Sequence, residues 1–135
     1  MGVSYGLGYG DNTAAMLMTR GLAEMSRLTV RCGGQAIVHG AGGHGRCHVH
    51  VRHSRNRRFG KLLAEGSTLD DFTAQTHMGA EGALACKTLK TRGDAYRVEL
   101  HSTDVVRSIV WEGADPQDVA HTLTNRPLTT EFYGL

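Results

Sequence analysis

The feature that most constrains this chain is a helical repeat of apolar residues near its N-terminus. From about Thr13 to Leu28, apolar side chains recur at steps of three and four residues, which is the spacing of one face of an α-helix. Asp11, Asn12 and Thr13 supply side-chain oxygens suited to capping the start of that helix. Three charged residues fall on the opposite face, which we expect to meet water: Arg20, Glu24 and Arg27.

The rest of the chain predicts shorter helices and no strands. Residues 1–10 are rich in glycine and predict a loop, and a basic turn is expected to begin at Ser54. Four helices are then expected: from Leu69, from Ala80 to about Lys90, from Val105 to Trp111, and after Asp115-Pro116. Gly93 is expected to end the helix that starts at Ala80. Residues 101–104 are expected to cap the helix that starts at Val105, and Gly113 to end it. Because no strand alternates with these helices, the predicted fold is a single all-α domain of 135 residues.

Charge and composition exclude several classes of protein. The chain carries 15 Lys and Arg against 13 Asp and Glu, and the resulting charge of +2 provides no global field for nucleic acid. No apolar run approaches the roughly 18 residues of a membrane span, and the residues after Met1 do not resemble a signal peptide. The 3 cysteines are scattered and odd in number, so we expect a reducing, cytoplasmic location rather than a disulfide framework.

Residues 29–53 show neither a helical nor a strand repeat and are unlike their flanks. The excess of glycine is concentrated here, since 6 of the 18 glycines lie between Gly33 and Gly45. Four residues of types that bind zinc also cluster in this segment: Cys47, His48, His50 and His53. Their spacing is unlike that of a metal motif and no second ligand cluster follows, so we expect no metal site.

Basic residues form a second cluster, with no acid among them: Arg52, Arg55, Arg57, Arg58 and Lys61. Guanidinium groups offer paired donors that match phosphate oxygens, and Ser54 and Asn56 add neutral donors beside them. A phosphate site is one interpretation, and a solvated charged surface is the other. RNA binding is less favoured because no aromatic residues interleave with the arginines.

Two long stretches resemble a known family. Residues 6–28, GLGYGDNTAAMLMTRGLAEMSRL, and residues 54–60, SRNRRFG, resemble the C-terminal domain of bacterial NAD(P)-dependent glycerol-3-phosphate dehydrogenase. The resemblance continues through GAEG at 79–82, VEL at 98–100 and WEGADP at 111–116. It implies a multi-helical domain, as in enzymes like glycerol-3-phosphate and 6-phosphogluconate dehydrogenase, that follows a Rossmann domain. Together the two domains would interconvert dihydroxyacetone phosphate and glycerol 3-phosphate for glycerolipid synthesis.

The resemblance also implies roles for individual residues. Ser54, Arg55 and Asn56 match positions that bind the phosphorylated substrate, and Arg55 also reaches the NAD or NADP cofactor. Gly79 and Glu81 match positions that contact the cofactor, although the family carries an apolar residue in place of Gly79. No catalytic residue is assigned within this chain, because the family's lysine would lie upstream of Met1 and its aspartate is missing.

The missing aspartate leads to a hypothesis about residues 29–53. The family carries a G-L-A-G-x-G-D-L…T-C motif here, whereas residues 40–51 read GAGGHGRCHVHV. When these residues are back-translated and read one base later, the degenerate codons permit GLAGTGDVMFTC. We therefore hypothesise that this segment is read in a shifted frame.

The expected function is that of a dehydrogenase fragment, inactive by itself, which binds glycerol 3-phosphate or dihydroxyacetone phosphate. A separately encoded Rossmann half and a second copy of the chain, forming a homodimer, are candidate partners, whereas nucleic acid and membranes are not. The alternative is a non-catalytic helical module that binds phosphate or a partner protein.

Overall fold

The computed structural model describes residues 1–35 and 54–125, and within those ranges the chain is helical and contains no strand. The described helices are α1 (Gly2–Gly6), α2 (Asp11–Arg31), α3 (Arg55–Ala64), α4 (Leu69–Thr76), α5 (Glu81–Tyr96), α6 (His101–Glu112) and α7 (Pro116–Thr124). The predicted all-α class is thereby confirmed. No helix in the described part of the chain has the length and apolar character needed to cross a membrane.

Part of the predicted N-terminal loop is a helix, whereas Gly8 and Gly10 lie outside the helices as predicted. Residues 2–6 are α1, which lies against α3 with almost no space between the two backbones. A Cβ atom on Gly2 would lie 2.5 Å from the carbonyl oxygen of Arg57, and one on Gly60 would lie 2.8 Å from the Cα atom of Gly2. These glycines therefore serve close helix packing, which the prediction of a loop did not take into account.

Helix α2 extends beyond the predicted 13–28 range at both ends, and the three charged residues that were expected at its surface are not there. Arg20, Glu24 and Arg27 are buried, so the expectation that they meet water was wrong. Arg20 Nη1 donates a hydrogen bond of 2.6 Å to the carbonyl oxygen of Leu123 in α7, and Glu24 accepts hydrogen bonds from Ser102 in α6. The physical reason is that polar groups at the ends of α6 and α7 contact this face of α2.

Three other boundaries differ from the predicted ones. The basic turn expected at Ser54 is the first turn of α3, with the Ser54 side chain as its N-cap. Residues 101–104 belong to α6 itself rather than capping it from outside. Helix α5 continues through Gly93 to Tyr96 and ends at Arg97, which is left-handed. Gly93 allows close packing rather than ending the helix, since a Cβ atom on it would lie 2.9 Å from the Leu100 side chain.

Several predicted helix ends are confirmed. Helix α4 begins at Leu69 as predicted, and Thr68 caps it with a capping box formed with Asp71. Gly113 ends α6 in the left-handed conformation at φ 70°. Asp115 caps α7 by accepting a hydrogen bond of 2.7 Å from the N–H of Gln117, with Pro116 in the first turn.

The hydrophobic core lies between α3, α4, α5 and α6. Its buried members come from α3, α4, α5 and α6 and from the residue before α5: Phe59, Leu63, Phe72, Ala80, Ala83 and Ile109. The Phe59 and Phe72 rings pack with centroids 5.1 Å apart in a tilted arrangement. This core fixes the N-terminus of α3 relative to that of α5.

Candidate functional site

The first turns of α3 and α5 meet at one surface and bring together residues from two separate motifs. Arg55 is the first residue of α3, and Glu81 is the first residue of α5. Arg55 Nη2 lies 2.9 Å from Glu81 Oε1, which makes an ion pair across 26 residues of sequence. One residue further along each helix, the N–H of Gly82 donates a hydrogen bond of 3.0 Å to Asn56 Oδ1. Arg55 and Asn56, which the resemblance assigned to the substrate, therefore lie beside Glu81, which it assigned to the cofactor.

The ion pair at this site is open to solvent. The side chains of Arg55 and Glu81 are 52% and 76% exposed. Exposed ion pairs of this kind contribute about 0–1 kcal/mol, because water screens the charges and both side chains lose freedom. An anionic ligand can therefore replace Glu81 as the partner of Arg55 at little cost.

The N-terminus of α3 adds positive potential beside Arg55. No acidic residue lies in the first turn of α3, so the partial positive charge of that helix end is not neutralised within the turn. Ser54 accepts a hydrogen bond of 3.2 Å from the N–H of Arg57, which leaves its hydroxyl proton available as a donor. The guanidinium of Arg57 lies 4.3 Å from the centre of the Tyr5 ring, so it is held over α1.

Gly79 lies two residues before Glu81, in the connection between α4 and α5. It is exposed, and a Cβ atom built on it would meet no other atom within 4 Å. Packing in the described structure therefore does not require glycine at this position.

A cavity of about 530 Å³ opens beside the site. Ser54, Asn56 and Gly82 contribute to its lining, and most of the remaining wall is apolar and comes from α2, α5 and α6. The polar donors of the site thus stand next to an apolar cavity, an arrangement typical of small-molecule sites.

Gly82 is the site residue that sequence reasoning missed. It belongs to the GAEG stretch at 79–82, but spacing gave no reason to pair it with Asn56, because the two residues lie on different helices. The absence of a capping side chain at Ala80 is a signal that the first turn of α5 needs an acceptor from elsewhere.

Other candidates fall outside the described residues. These are Arg52 of the basic cluster and the four residues considered as metal ligands, Cys47, His48, His50 and His53. Among residues 1–35 and 54–125, no group of three or more His, Cys, Asp or Glu is placed to hold a metal ion.

Comparison with known proteins now decides the family. The family described as "NAD-dependent glycerol-3-phosphate dehydrogenase C-terminus" matches residues 1–121. This chain belongs to that family.

Relatives of this dehydrogenase family match almost the whole chain. The protein named glycerol-3-phosphate dehydrogenase [NAD(P)+] from Chlorobium limicola is 41% identical over 135 residues, which cover 98% of this chain and 40% of the relative. The proteins of that name from Thermoanaerobacter and Macrococcus caseolyticus are 36% and 38% identical and are covered over 42% and 40% of their length. The chain thus spans about two fifths of the length of the curated relatives it matches.

The site offers both hydrogen-bond donors and hydrogen-bond acceptors. Arg55, the free donors of Ser54 and Asn56, and the N-terminus of α3 provide the charge and the hydrogen-bond donors that a phosphate group needs. Glu81 provides carboxylate oxygens, which accept hydrogen bonds from hydroxyl groups such as those of a ribose. Both donors and acceptors therefore lie at the first turns of α3 and α5.

Proposed function

We propose that this chain is the substrate-binding portion of a glycerol-3-phosphate dehydrogenase. The complete enzyme interconverts dihydroxyacetone phosphate and glycerol 3-phosphate with NAD or NADP, in the supply of glycerolipid precursors. The observation that carries the proposal is the meeting of Arg55 with Glu81, and of Asn56 with Gly82, at the first turns of α3 and α5.

The phosphate group of the substrate would be bound by Ser54, Arg55 and Asn56. Arg55 supplies a full positive charge and paired N–H donors, and it gives up its exposed contact with Glu81. Ser54 and Asn56 supply a hydroxyl and an amide donor from the same turn. With the phosphate held there, the carbon end of the substrate would lie in the neighbouring cavity, whose wall is mostly apolar.

The same site would hold part of the cofactor through Arg55, Gly79 and Glu81. Arg55 is placed to bind an anionic group, Glu81 to accept hydrogen bonds from hydroxyl groups, and the exposed backbone at Gly79 to contact the cofactor without steric hindrance. The bound nicotinamide accepts or donates the hydride that substrate oxidation or reduction requires. Arg55 then contacts both ligands and sets their relative position.

Catalysis by this polypeptide requires a dinucleotide-binding half, and we propose a separately encoded one as the partner. The chain spans about two fifths of the length of its relatives, and the proposal is that this portion binds substrate without turning it over by itself. Mixing it with a Rossmann half should restore reduction of dihydroxyacetone phosphate by NADH or NADPH. Turnover by the purified chain alone would contradict this part of the proposal.

We propose that the protein acts in the cytoplasm and forms a homodimer through apolar residues at its surface. Met25, Met78 and Leu84 are 44%, 43% and 64% exposed. Large apolar side chains exposed at a surface favour association. Sedimentation at increasing concentration should show a dimer, and a monomer at all concentrations would refute it.

We further propose that residues 29–53 are read in a shifted frame. The support is that their shifted codons permit GLAGTGDVMFTC where the chain reads GAGGHGRCHVHV. Genomic DNA should contain an Asp codon that straddles the codons of Arg46 and Cys47. Codons at this position that do not spell Asp in the shifted frame would end the hypothesis.

Ligand titration tests the substrate assignment. The full chain should bind glycerol 3-phosphate more tightly than inorganic phosphate, because the cavity contacts the glycerol portion, and it should not bind glycerol measurably. The alternative function, a non-catalytic phosphate- or partner-binding module, is favoured by the fact that the phosphate donors all lie within this chain. Equal affinities for glycerol 3-phosphate and phosphate would support that module instead.

A further inference from the structure

Helix α5 begins without a cap of its own. Its N-cap residue is Ala80, whose side chain cannot accept a hydrogen bond, and the first N–H groups of any helix lack partners within the helix. The N–H of Gly82 is one of these, and it donates to Asn56 Oδ1 at 3.0 Å. The cap of α5 therefore comes from α3, a different helix.

This contact fixes the orientation of the Asn56 carboxamide. A backbone N–H can only donate, so the carboxamide oxygen must face Gly82 and the NH₂ group must face away from it. The NH₂ group then has two donors on the side of the carboxamide opposite α5. Without the bond to Gly82, the carboxamide could rotate and offer either its oxygen or its nitrogen to a phosphate.

Glycine at position 82 permits the contact. A Cβ atom there would lie 3.2 Å from Asn56 Oδ1 and 3.3 Å from Asn56 Cγ, which is closer than ordinary van der Waals contact. The neighbouring residue Glu81 pairs with Arg55, so the distance between the two helix ends also determines where Arg55 lies. The packing at Gly82 and the ion pair at Glu81 thus depend on the same close approach of α5 to α3.

We infer that Asn56 and Gly82 form a positioning pair, in which the carboxamide oxygen of Asn56 caps α5 and its NH₂ group is thereby presented to the phosphate of the ligand. The inference rests on the proposed function for the second half of this statement only. The capping of α5 does not depend on the proposed function: there Asn56 acts on Gly82, and through Gly82 on the placement of Glu81 beside Arg55.

Two substitutions of Asn56 separate the capping of α5 from the presentation of the NH₂ group. Asn56→Asp keeps an acceptor for the Gly82 N–H but loses the NH₂ donor and adds a negative charge, whereas Asn56→Ala loses both. Hydrogen exchange of the Gly82 amide, followed by NMR on the full chain, reports the cap. We expect exchange to be about tenfold faster in Asn56→Ala, as for the loss of an ordinary hydrogen bond, and unchanged in Asn56→Asp. Affinity for glycerol 3-phosphate should fall in both.

Gly82→Ala provides a second test in case Asn56→Ala does not fold. Alanine has the higher intrinsic helix propensity and would by itself strengthen the first turn of α5. We expect instead faster exchange of the amide at position 82 and weaker glycerol 3-phosphate binding, because the methyl group displaces Asn56. Unchanged exchange in Asn56→Ala, or faster exchange in Asn56→Asp, would overturn the inference.

The same experiment distinguishes failure of the proposed function from failure of the inference. Arg55→Ala should lower glycerol 3-phosphate affinity and leave exchange at Gly82 unchanged. If the unmodified chain does not bind glycerol 3-phosphate, the proposed function is wrong, while the exchange data still decide whether Asn56 caps α5. If the parent chain binds glycerol 3-phosphate and both Asn56 variants bind it as tightly as the parent does, the presentation of the NH₂ group is refuted.

Discussion

The carboxylate of Glu24 in α2 caps the N-terminus of α6 through Ser102. The Ser102 N–H donates to both carboxylate oxygens, at 3.0 and 3.1 Å, and its hydroxyl donates to Glu24 Oε1 at 3.1 Å. The N-cap residue Leu100 has no side chain that could do this. A buried acid thus joins two helices that lie far apart in sequence.

This relationship predicts how stability depends on pH. Burial raises the pKa of the Glu24 carboxyl above its ordinary value, and this effect exceeds the lowering by the Ser102 bonds and by the charges of His101 and Arg27. Above the ordinary glutamate pKa of about 4.3, the unfolded chain has lost this proton while the folded chain still holds it. The Glu24 contribution to the free energy of unfolding therefore decreases as pH rises through the window between the two values.

Urea unfolding of the parent chain and of Glu24→Gln across that window measures the effect. The variant keeps an acceptor for Ser102 but does not titrate, and His101 and Arg27 are present in both proteins. We expect the stability of the parent relative to the variant to decrease with rising pH. A relative stability that increases with pH would mean that the pKa of Glu24 is lowered by folding, contrary to the account.

Arg20 holds the C-terminal end of α7 to α2. Its Nη1 donates to the carbonyl oxygen of Leu123, one of the last carbonyls of that helix, from a buried position. We expect Arg20→Met to lower the free energy of unfolding by about 1.5–3 kcal/mol, the usual contribution of a hydrogen bond to a charged group. Arg31→Met, at an exposed position of the same helix, is the control and should have a much smaller effect.

Two glycines within helices should respond to alanine in opposite ways. A Cβ atom on Gly60 would lie 2.7 Å from the backbone nitrogen of Val3, whereas one on Gly21 would meet nothing within 4 Å. Gly60→Ala should lower stability by about 1–3 kcal/mol through overpacking. Gly21→Ala should raise it by up to about 1 kcal/mol through helix propensity. Thermal unfolding followed by circular dichroism measures both, and a stabilising Gly60→Ala would refute the close packing of α1 on α3.

Because Glu81 pairs with Arg55, we predict that removing the Glu81 charge strengthens the binding of anions to Arg55. Glu81→Gln removes the carboxylate that competes with a phosphate for Arg55. Because exposed pairs contribute about 0–1 kcal/mol, we expect glycerol 3-phosphate affinity to rise by about two- to fivefold. Calorimetric titration measures this change, and a lower affinity in Glu81→Gln would show that Glu81 assists rather than competes with phosphate binding.

Much of the fold follows from local sequence signals. The apolar repeat predicted most of α2, and Asp115, Pro116 and Gly113 placed the boundary between α6 and α7, because the physical requirements of caps and left-handed residues are local. The resemblance to the family, rather than any spacing, assigned both Arg55 and Glu81 to the cofactor, and the structure places the two side chains 2.9 Å apart.

The errors have a common physical cause. Arg20 and Glu24 lie on the polar face of the predicted helix, and a polar face is ordinarily taken to meet water. The sequence pattern could not show that this face meets the polar ends of two other helices instead. Gly2 and Gly93 were interpreted as residues that disrupt helices. Each instead allows close packing against residues outside its own helix, which the local sequence does not reveal. The contact of Asn56 with Gly82 was missed for the same reason, because only the tertiary structure brings α3 and α5 together.

The central claim, that the first turn of α3 binds the phosphate of glycerol 3-phosphate through Arg55, is tested most directly by calorimetric titration of two variants. Arg55→Ala removes the guanidinium at the site, and Arg92→Ala removes an exposed guanidinium elsewhere on α5. We predict that Arg55→Ala weakens binding by about tenfold or more, as expected for a charge-assisted hydrogen bond, while Arg92→Ala binds as the parent does. Equal affinities in Arg55→Ala and the parent chain would contradict the account.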